Sequence, residues 1–258
     1  MGSATDQHPV GTQARYPVRL EWGPVGAAVV SDGCEFAVVV DVLSFTTTLT
    51  VACDLGIEVV PCPWRDQRAE ALACEHDATL AVGRTAASTG QVSLSPGTLR
   101  GAEPMRRLVL PSPNGSNISS RMAGIGATVI GASLRNRTAA ATWLTQQANS
   151  ADRAPQIAVI AAGERWPDQS LRPAIEDLWG AGAVIRALVD QGWERLSPEA
   201  DAAMHCFDAV SNDVATALHH SAGGVELDDL GFSEDVDIAA ELDQSSSTPI
   251  LLNGIYTS

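Results

Sequence analysis

Apolar residues in this chain fall in short bursts separated by stretches of helical spacing. Residues 35–40 (EFAVVV) form an unbroken apolar run that stops at Asp41, the pattern of a strand buried on both faces. Residues 57–61, 79–82, 108–111, 128–131, 156–161 and 249–252 predict further strands. Between them, 46–55, 64–76, 138–148, 172–191 and 198–220 predict helices. The strongest is 172–191, where Ile175, Leu178, Trp179, Ala183, Ile185 and Leu188 crowd one side. Strands alternating with helices predict an α/β fold, a largely parallel or mixed sheet flanked by helices. In such sheets ligands bind beyond the carboxyl ends of the strands, so the residues following each strand are the ones to inspect. Residues 1–17 are polar and predict a flexible leader, and 18–258 predict a single α/β domain. The irregular stretch 88–101 predicts a loop over the site. The acidic segment with Glu226, Asp228, Asp229, Glu234, Asp235 and Asp237 predicts a solvated, helix-capping surface.

Composition narrows the function classes. Sixteen basic residues against 31 acidic ones leave a net charge of −15, which disfavours a general nucleic-acid binder. Every basic residue is Arg; the absence of Lys excludes a phosphate-loop NTPase lysine, a pyridoxal-phosphate Schiff base and any lysine nucleophile. The five cysteines (34, 53, 62, 74 and 206) contain no CxxC pair and predict free thiols in a reducing compartment. The first 17 residues lack the apolar core of a secretory signal, and no apolar run reaches the ~18 residues of a membrane span. The expectation is a cytoplasmic protein that binds neither nucleic acid nor membrane.

Four strand ends deliver polar chemistry. Asp41 is followed by Ser44 and by Thr46, Thr47 and Thr48 at a helix start, a place for a metal ion and an anion; helix capping by Asp41 or Thr46 is the structural alternative. After 108–111 comes Ser112-Pro113-Asn114-Gly115-Ser116-Asn117, which suits a lysine-free phosphate cradle or a plain turn. After 128–131 comes Ser133-Leu134-Arg135-Asn136-Arg137, an amide between two cations. After 156–161 comes Ala162-Gly163-Glu164-Arg165, with Glu176-Asp177 in the next helix. Adjacent helical carboxylates point about 100° apart. With Asp41 they offer oxygen ligands to a hard cation such as magnesium, and acids in a first helical turn also complement its dipole. Their apolar neighbours Ile175, Leu178 and Trp179 favour a functional role. No GxSxG, HExxH or GxGxxG motif occurs.

Taken in order, these junctions resemble the magnesium-dependent 2-phosphosulfolactate phosphatases of coenzyme M biosynthesis. The resembling segments are Val38-Val39-Val40-Asp41-Val42-Leu43 with Thr46-Thr47, Gly83-Arg84, Ser95-Pro96, Asn114-Gly115-Ser116, Asn136, Ala161-Ala162-Gly163 and Glu176-Asp177-Leu178 with Ala181-Gly182-Ala183. They run over roughly residues 18 to 250. The resemblance implies that family's α/β fold, a Mg²⁺ cofactor and hydrolysis of the phosphomonoester of a small anionic, sulfonated hydroxy acid. It implies catalytic roles for Asp41, Asn114 and Arg84, and metal binding by Asp41, Glu176 and Asp177. Substrate contacts fall to Thr46, Thr47, Ser95, Gly115, Ser116 and Asn136. The chain departs from the pattern where Ser44 and Asn117 stand in place of Arg, where Val82 precedes Gly83-Arg84 in place of Gly-Glu-Arg, and where Leu94 precedes Ser95-Pro96. Another small phosphorylated acid as substrate, or a non-catalytic anion-binding relative, are the alternatives. A homodimer is a common state for such folds.

Overall fold

The computed structural model describes residues 11–88, 90–151 and 155–258; the first ten residues of the expected leader lie outside them. Elements run β1 (Val18–Trp22), α1 (Gly23–Val30), β2 (Phe36–Val40), α2 (Phe45–Asp54), β3 (Glu58–Cys62), α3 (Gln67–Glu75) and β4 (Thr79–Leu80). They continue α4 (Pro96–Arg100), β5 (Arg107–Pro111), α5 (Gly115–Ala123), β6 (Thr128–Ala132), α6 (Arg137–Asn149) and β7 (Ile157–Ala161). After β7 come the hairpin strands β8 (Glu164–Arg165) and β9 (Leu171–Arg172), then α7 (Ile175–Asp190). The chain closes with α8 (Pro198–Asp208), α9 (Val214–His220), α10 (Ala222–Asp229), α11 (Ser233–Ala239), β10 (Ile250–Leu252) and β11 (Ile255–Thr257).

Nine strands form one mixed sheet in the order β1-β7-β2-β6-β10-β11-β3-β5-β4. One block, β1-β7-β2-β6, is parallel throughout, and so is β3-β5-β4. The β10–β11 hairpin joins the blocks by antiparallel pairing on both sides. Its two-residue Asn253-Gly254 turn has both residues at positive φ, the geometry that Asn-Gly supplies in tight hairpins.

Alternation within each strand splits the core. Val38 and Val40 of β2, with Ile157, Val159 and Ala161 of β7, face a cluster completed by α6, α7 and α8 through Leu144, Ile185, Leu188 and Phe207. Ala37 and Val39 face the opposite cluster, which also takes Val59 of β3 and Leu108 and Leu110 of β5, and is filled by α1, α2 and α5. Residues of both blocks thus share one core, and the loop after β5 meets the end of β2, where the Gly115 amide bonds Asp41 at 2.9 Å, although four strands separate them in the ladder.

The structure revises several boundaries. The helix expected over 198–220 is two, because Asp213 caps α9 by accepting from the Thr216 amide at 3.2 Å. The stretch 88–101 holds the short helix α4, capped by Ser95. β1, α1, α5 and β11 were not expected; α5 carries the turn-like GSNISS sequence, and burial of Ile118 and Met122 overrides its weak propensity. Gln13, inside the expected leader, is buried, with its side chain bonded to Leu20 N and O at 3.1 and 2.8 Å. The acidic segment is not wholly solvated: Asp235 is 2% exposed and ion-paired. All five cysteines are free.

Candidate active site

Asp41 leaves the carboxyl end of β2 and is buried. Its Oδ1 accepts from the Phe45 amide at 3.1 Å and its Oδ2 from the Gly115 amide at 2.9 Å, with Ser112 Oγ at 3.5 Å. The chain therefore caps α2 with the same carboxylate that receives the start of α5. Gly115 permits this approach: a Cβ there would stand 2.3 Å from Phe45 Cδ1 and 2.8 Å from Asp41 Oδ2. Burial, and then the nearby Glu164 charge, push the Asp41 carboxyl up to about 7 against the pull of those three hydrogen bonds.

Asp177, in the first turn of α7, joins the two neighbouring strand ends. Its Oδ1 accepts from Val42 N at 2.7 Å and its Oδ2 from Gly163 N at 2.8 Å, so one carboxylate fixes the loops after β2 and β7. Burial, then the Asp41 and Glu176 charges, raise its pKa well above the ordinary range. Glu176 is buried beside it and is also raised, by burial first; Glu164 adds to the shift and Arg172 opposes it. Glu164 itself is raised by burial, while Asn114 and Arg172 pull it down. Asn114 bridges the loops: its Nδ2 donates to Glu164 Oε2 at 3.0 Å and its Oδ1 accepts from Arg165 Nε at 3.3 Å. Asp41, Asn114, Glu176 and Asp177 thus come from strand ends spread over the chain into one neighbourhood. Glu164 joins them. Its position directly after an apolar strand was the signal, outweighed in the sequence by the Glu176-Asp177 pair.

Other expected contacts are committed inside the fold. Thr46 Oγ1 donates to Asp41 O at 2.8 Å and accepts from Asp41 N, Thr47 Oγ1 donates to Val42 O at 2.7 Å, and Ser116 Oγ donates to Leu110 O at 3.2 Å. The Gly115 amide, expected to face a phosphoryl group, donates to Asp41 instead. Asn136, after β6, is also committed: its Oδ1 accepts from Ser133 N, and its Nδ2 donates to the carbonyls of Gly131 and Ser247, which makes it a cap at the end of β6. Arg84 donates to Asp235 Oδ2 at 2.9 Å and to Ser44 Oγ at 2.7 Å, and Ser95 Oγ donates to the same Asp235. Arg84 and Ser95 are thus joined to each other through α11 and touch the Asp41 loop at Ser44.

The donor chemistry of the acid cluster is all oxygen and suits a hard divalent cation. Among the described residues, however, no three His, Cys, Asp or Glu are arranged as a ready-made metal cage. A cavity of about 240 Å³ opens beside the cluster, lined by Asn114, Glu164 and Arg165 and walled by Trp22, Pro24 and Leu171.

Buried acids and an amide gathered at the strand ends of an α/β sheet, beside a cavity of small-molecule size, define an enzyme of small polar substrates. A family model described as 2-phosphosulpholactate phosphatase matches residues 28–254. The chain is 28% identical over 228 residues to a Thermotoga petrophila protein named probable 2-phosphosulfolactate phosphatase, covering 86% of this chain and 92% of that one. Proteins of the same name from Deinococcus radiodurans (28% over 228 residues, covering 85% and 89%) and Parasynechococcus marenigrum (29% over 228 residues, covering 83% and 88%) are similarly related. The chain belongs to the 2-phosphosulpholactate phosphatase family, and its class is phosphoric monoester hydrolase. No helix among the described residues is long and apolar enough to cross a membrane.

Proposed function

We propose that this enzyme hydrolyses 2-phospho-3-sulfolactate to 3-sulfolactate and phosphate in a magnesium-dependent reaction. The observation that carries the reading is the meeting of Asp41, Asn114, Glu164, Glu176 and Asp177 at the carboxyl ends of β2, β5 and β7. Asp41, with one of Glu176 and Asp177, would hold the magnesium ion, which when bound supplies positive charge to phosphoryl oxygens. Without a cation, burial first and then the neighbouring carboxylate charges hold the pKa values of these acids up. Asn114 orients Glu164. Glu164, kept protonated further up the pH scale than an ordinary glutamate, hands a proton to the ester oxygen as the P–O bond to the hydroxy acid breaks. The oxygen added to phosphorus comes, at the end of the cycle, from water. Since the chain carries −15 overall, local positive charge must reverse the field at the pocket.

A second substrate, a different small phosphorylated acid in the same site, is favoured by one specific observation. Arg84, the cation the resemblance assigns to catalysis, is already paired with Asp235. Phosphate release from 2-phosphosulfolactate, 2-phosphoglycolate and phospholactate, each with Mg²⁺ and with chelator, separates the readings. The expected result is Mg²⁺-dependent release with the highest kcat/KM on 2-phosphosulfolactate. Preference for another ester shifts the substrate; activity untouched by chelation contradicts the metal role; no release from any ester contradicts the proposal.

A further inference from the structure

The β8–β9 hairpin is a separate two-stranded sheet that follows directly on β7 and pairs Glu164 with Arg172 and Arg165 with Leu171. It brings two guanidinium groups to the acid centre. Arginines at the neighbouring junctions are already matched by acids: Arg84 with Asp235, and Arg135 with both Asp54 and Glu241. Arg165 differs. Its Nε donates to the neutral Asn114 Oδ1 at 3.3 Å, and Nη1 reaches only the Gln169 carbonyl at 3.5 Å. Among the described residues it forms no ion pair, and it lines the 240 Å³ cavity together with Trp22 and Leu171. Arg172 stands across the ladder from Glu164, where its charge offsets that carboxyl at the cavity wall. A planar guanidinium with free donors in a small, partly apolar cavity matches a carboxylate or sulfonate, which it binds through two parallel hydrogen bonds.

We infer that this cavity is the subsite for the non-phosphate acid group of the substrate, with Arg165 as its reader and Arg172 screening Glu164 from it. The inference rests on the phosphatase reading for its catalytic consequence, but the subsite itself binds an acid whether or not an ester is cleaved.

The test compares two esters and one acid. Arg165→Gln should lower kcat/KM on 2-phosphosulfolactate by about 10- to 100-fold more than on p-nitrophenyl phosphate, which carries no second acid group. An equal fall on both esters, or none on either, overturns the subsite. Calorimetry with 3-sulfolactate alone should show binding to wild type that Arg165→Gln weakens by a similar factor. If wild type binds the acid in this Arg165-dependent way yet cleaves no ester, the subsite stands and the phosphatase reading falls. If wild type cleaves the ester and Arg165→Gln changes neither ratio nor binding, the reverse holds. Should Arg165→Gln unfold early, Arg165→Lys, which keeps charge but not the two-pronged geometry, carries the test; a smaller fall in the same ratio is expected, and no fall overturns the inference.

Discussion

Two groups of buried acids in this molecule are treated in opposite ways. Asp235 on α11 is matched: Arg84 pairs with it, Ser95 donates to it, and the Gly97 amide lies at 3.3 Å. Asp41, Glu164, Glu176 and Asp177 have backbone amides, Asn114 and Arg172 near them, and burial first, then charges among Asp41, Glu164, Glu176 and Asp177, hold the pKa values of Asp41, Glu176 and Asp177 up. A buried ion pair with satisfied hydrogen bonds needs nothing further, whereas a set of facing carboxyls is costly unless protons or a cation relieve it. The first arrangement fastens α11 and α4 together beside Ser44. The second is the set proposed to carry the chemistry.

Substitutions on each side should therefore fail differently. Asp41→Asn is expected to lower turnover by about 10³-fold or more, while the unfolding free energy changes by only about 1 kcal/mol, because one lost amide acceptor is offset by relief of charge repulsion. Phosphate release and denaturant unfolding on the same preparation check this; a stability loss of several kcal/mol would make Asp41 mainly a helix cap. Asp235→Ala should do the converse. Breaking a buried pair costs about 3–5 kcal/mol, and since Arg84 is 16% exposed the expected loss is about 2–4 kcal/mol. Urea unfolding measures it, and a loss under about 0.5 kcal/mol would show that the pair fastens little.

The smallest expected effect lies among α9, α10 and α11. His219 of α9 sits between Asp228 of α10 at 2.8 Å and Asp237 next to α11's centre at 3.0 Å. Those carboxylates hold its pKa above the ordinary histidine value, Asp228 contributing most. A folded pKa above the unfolded one means that the stabilisation is complete below about 6.5 and is lost as pH rises through the folded value. With these groups partly open to solvent, it amounts to about 0.5–1 kcal/mol. Thermal unfolding of wild type and His219→Gln should differ at pH 6 and converge by pH 9; a gap that persists at pH 9 assigns the contribution to packing.

Much of the fold was legible because β2 and β7 are apolar on both faces and α7 has a long apolar side, signals that tertiary context does not alter. Among the elements that escaped are β1, α1 and β11, α5, which burial makes from a turn-forming sequence, and the short helices α10 and α11. Asn253-Gly254 between apolar residues is a readable hairpin signal. For the site, Asp41 and Glu176-Asp177 announced themselves as acids where strands end or apolar neighbours press. Asn136 misled because an amide cap and an amide ligand have the same local sequence, and only the carbonyls of Gly131 and Ser247 show which it is. No local pattern links Asp235 to Arg84, 151 residues away.

The account turns on the unmatched acids taking up a divalent cation that the matched one does not need. Mn²⁺ titration followed by electron paramagnetic resonance, with Mg²⁺ as competitor, measures this directly. Wild type should bind about one equivalent, more tightly as pH rises through about 7 and Asp41 gives up its proton; Asp41→Asn should lose that binding and Asp235→Asn should keep it. Binding that survives unchanged in Asp41→Asn, or that disappears equally in Asp235→Asn, would contradict the account.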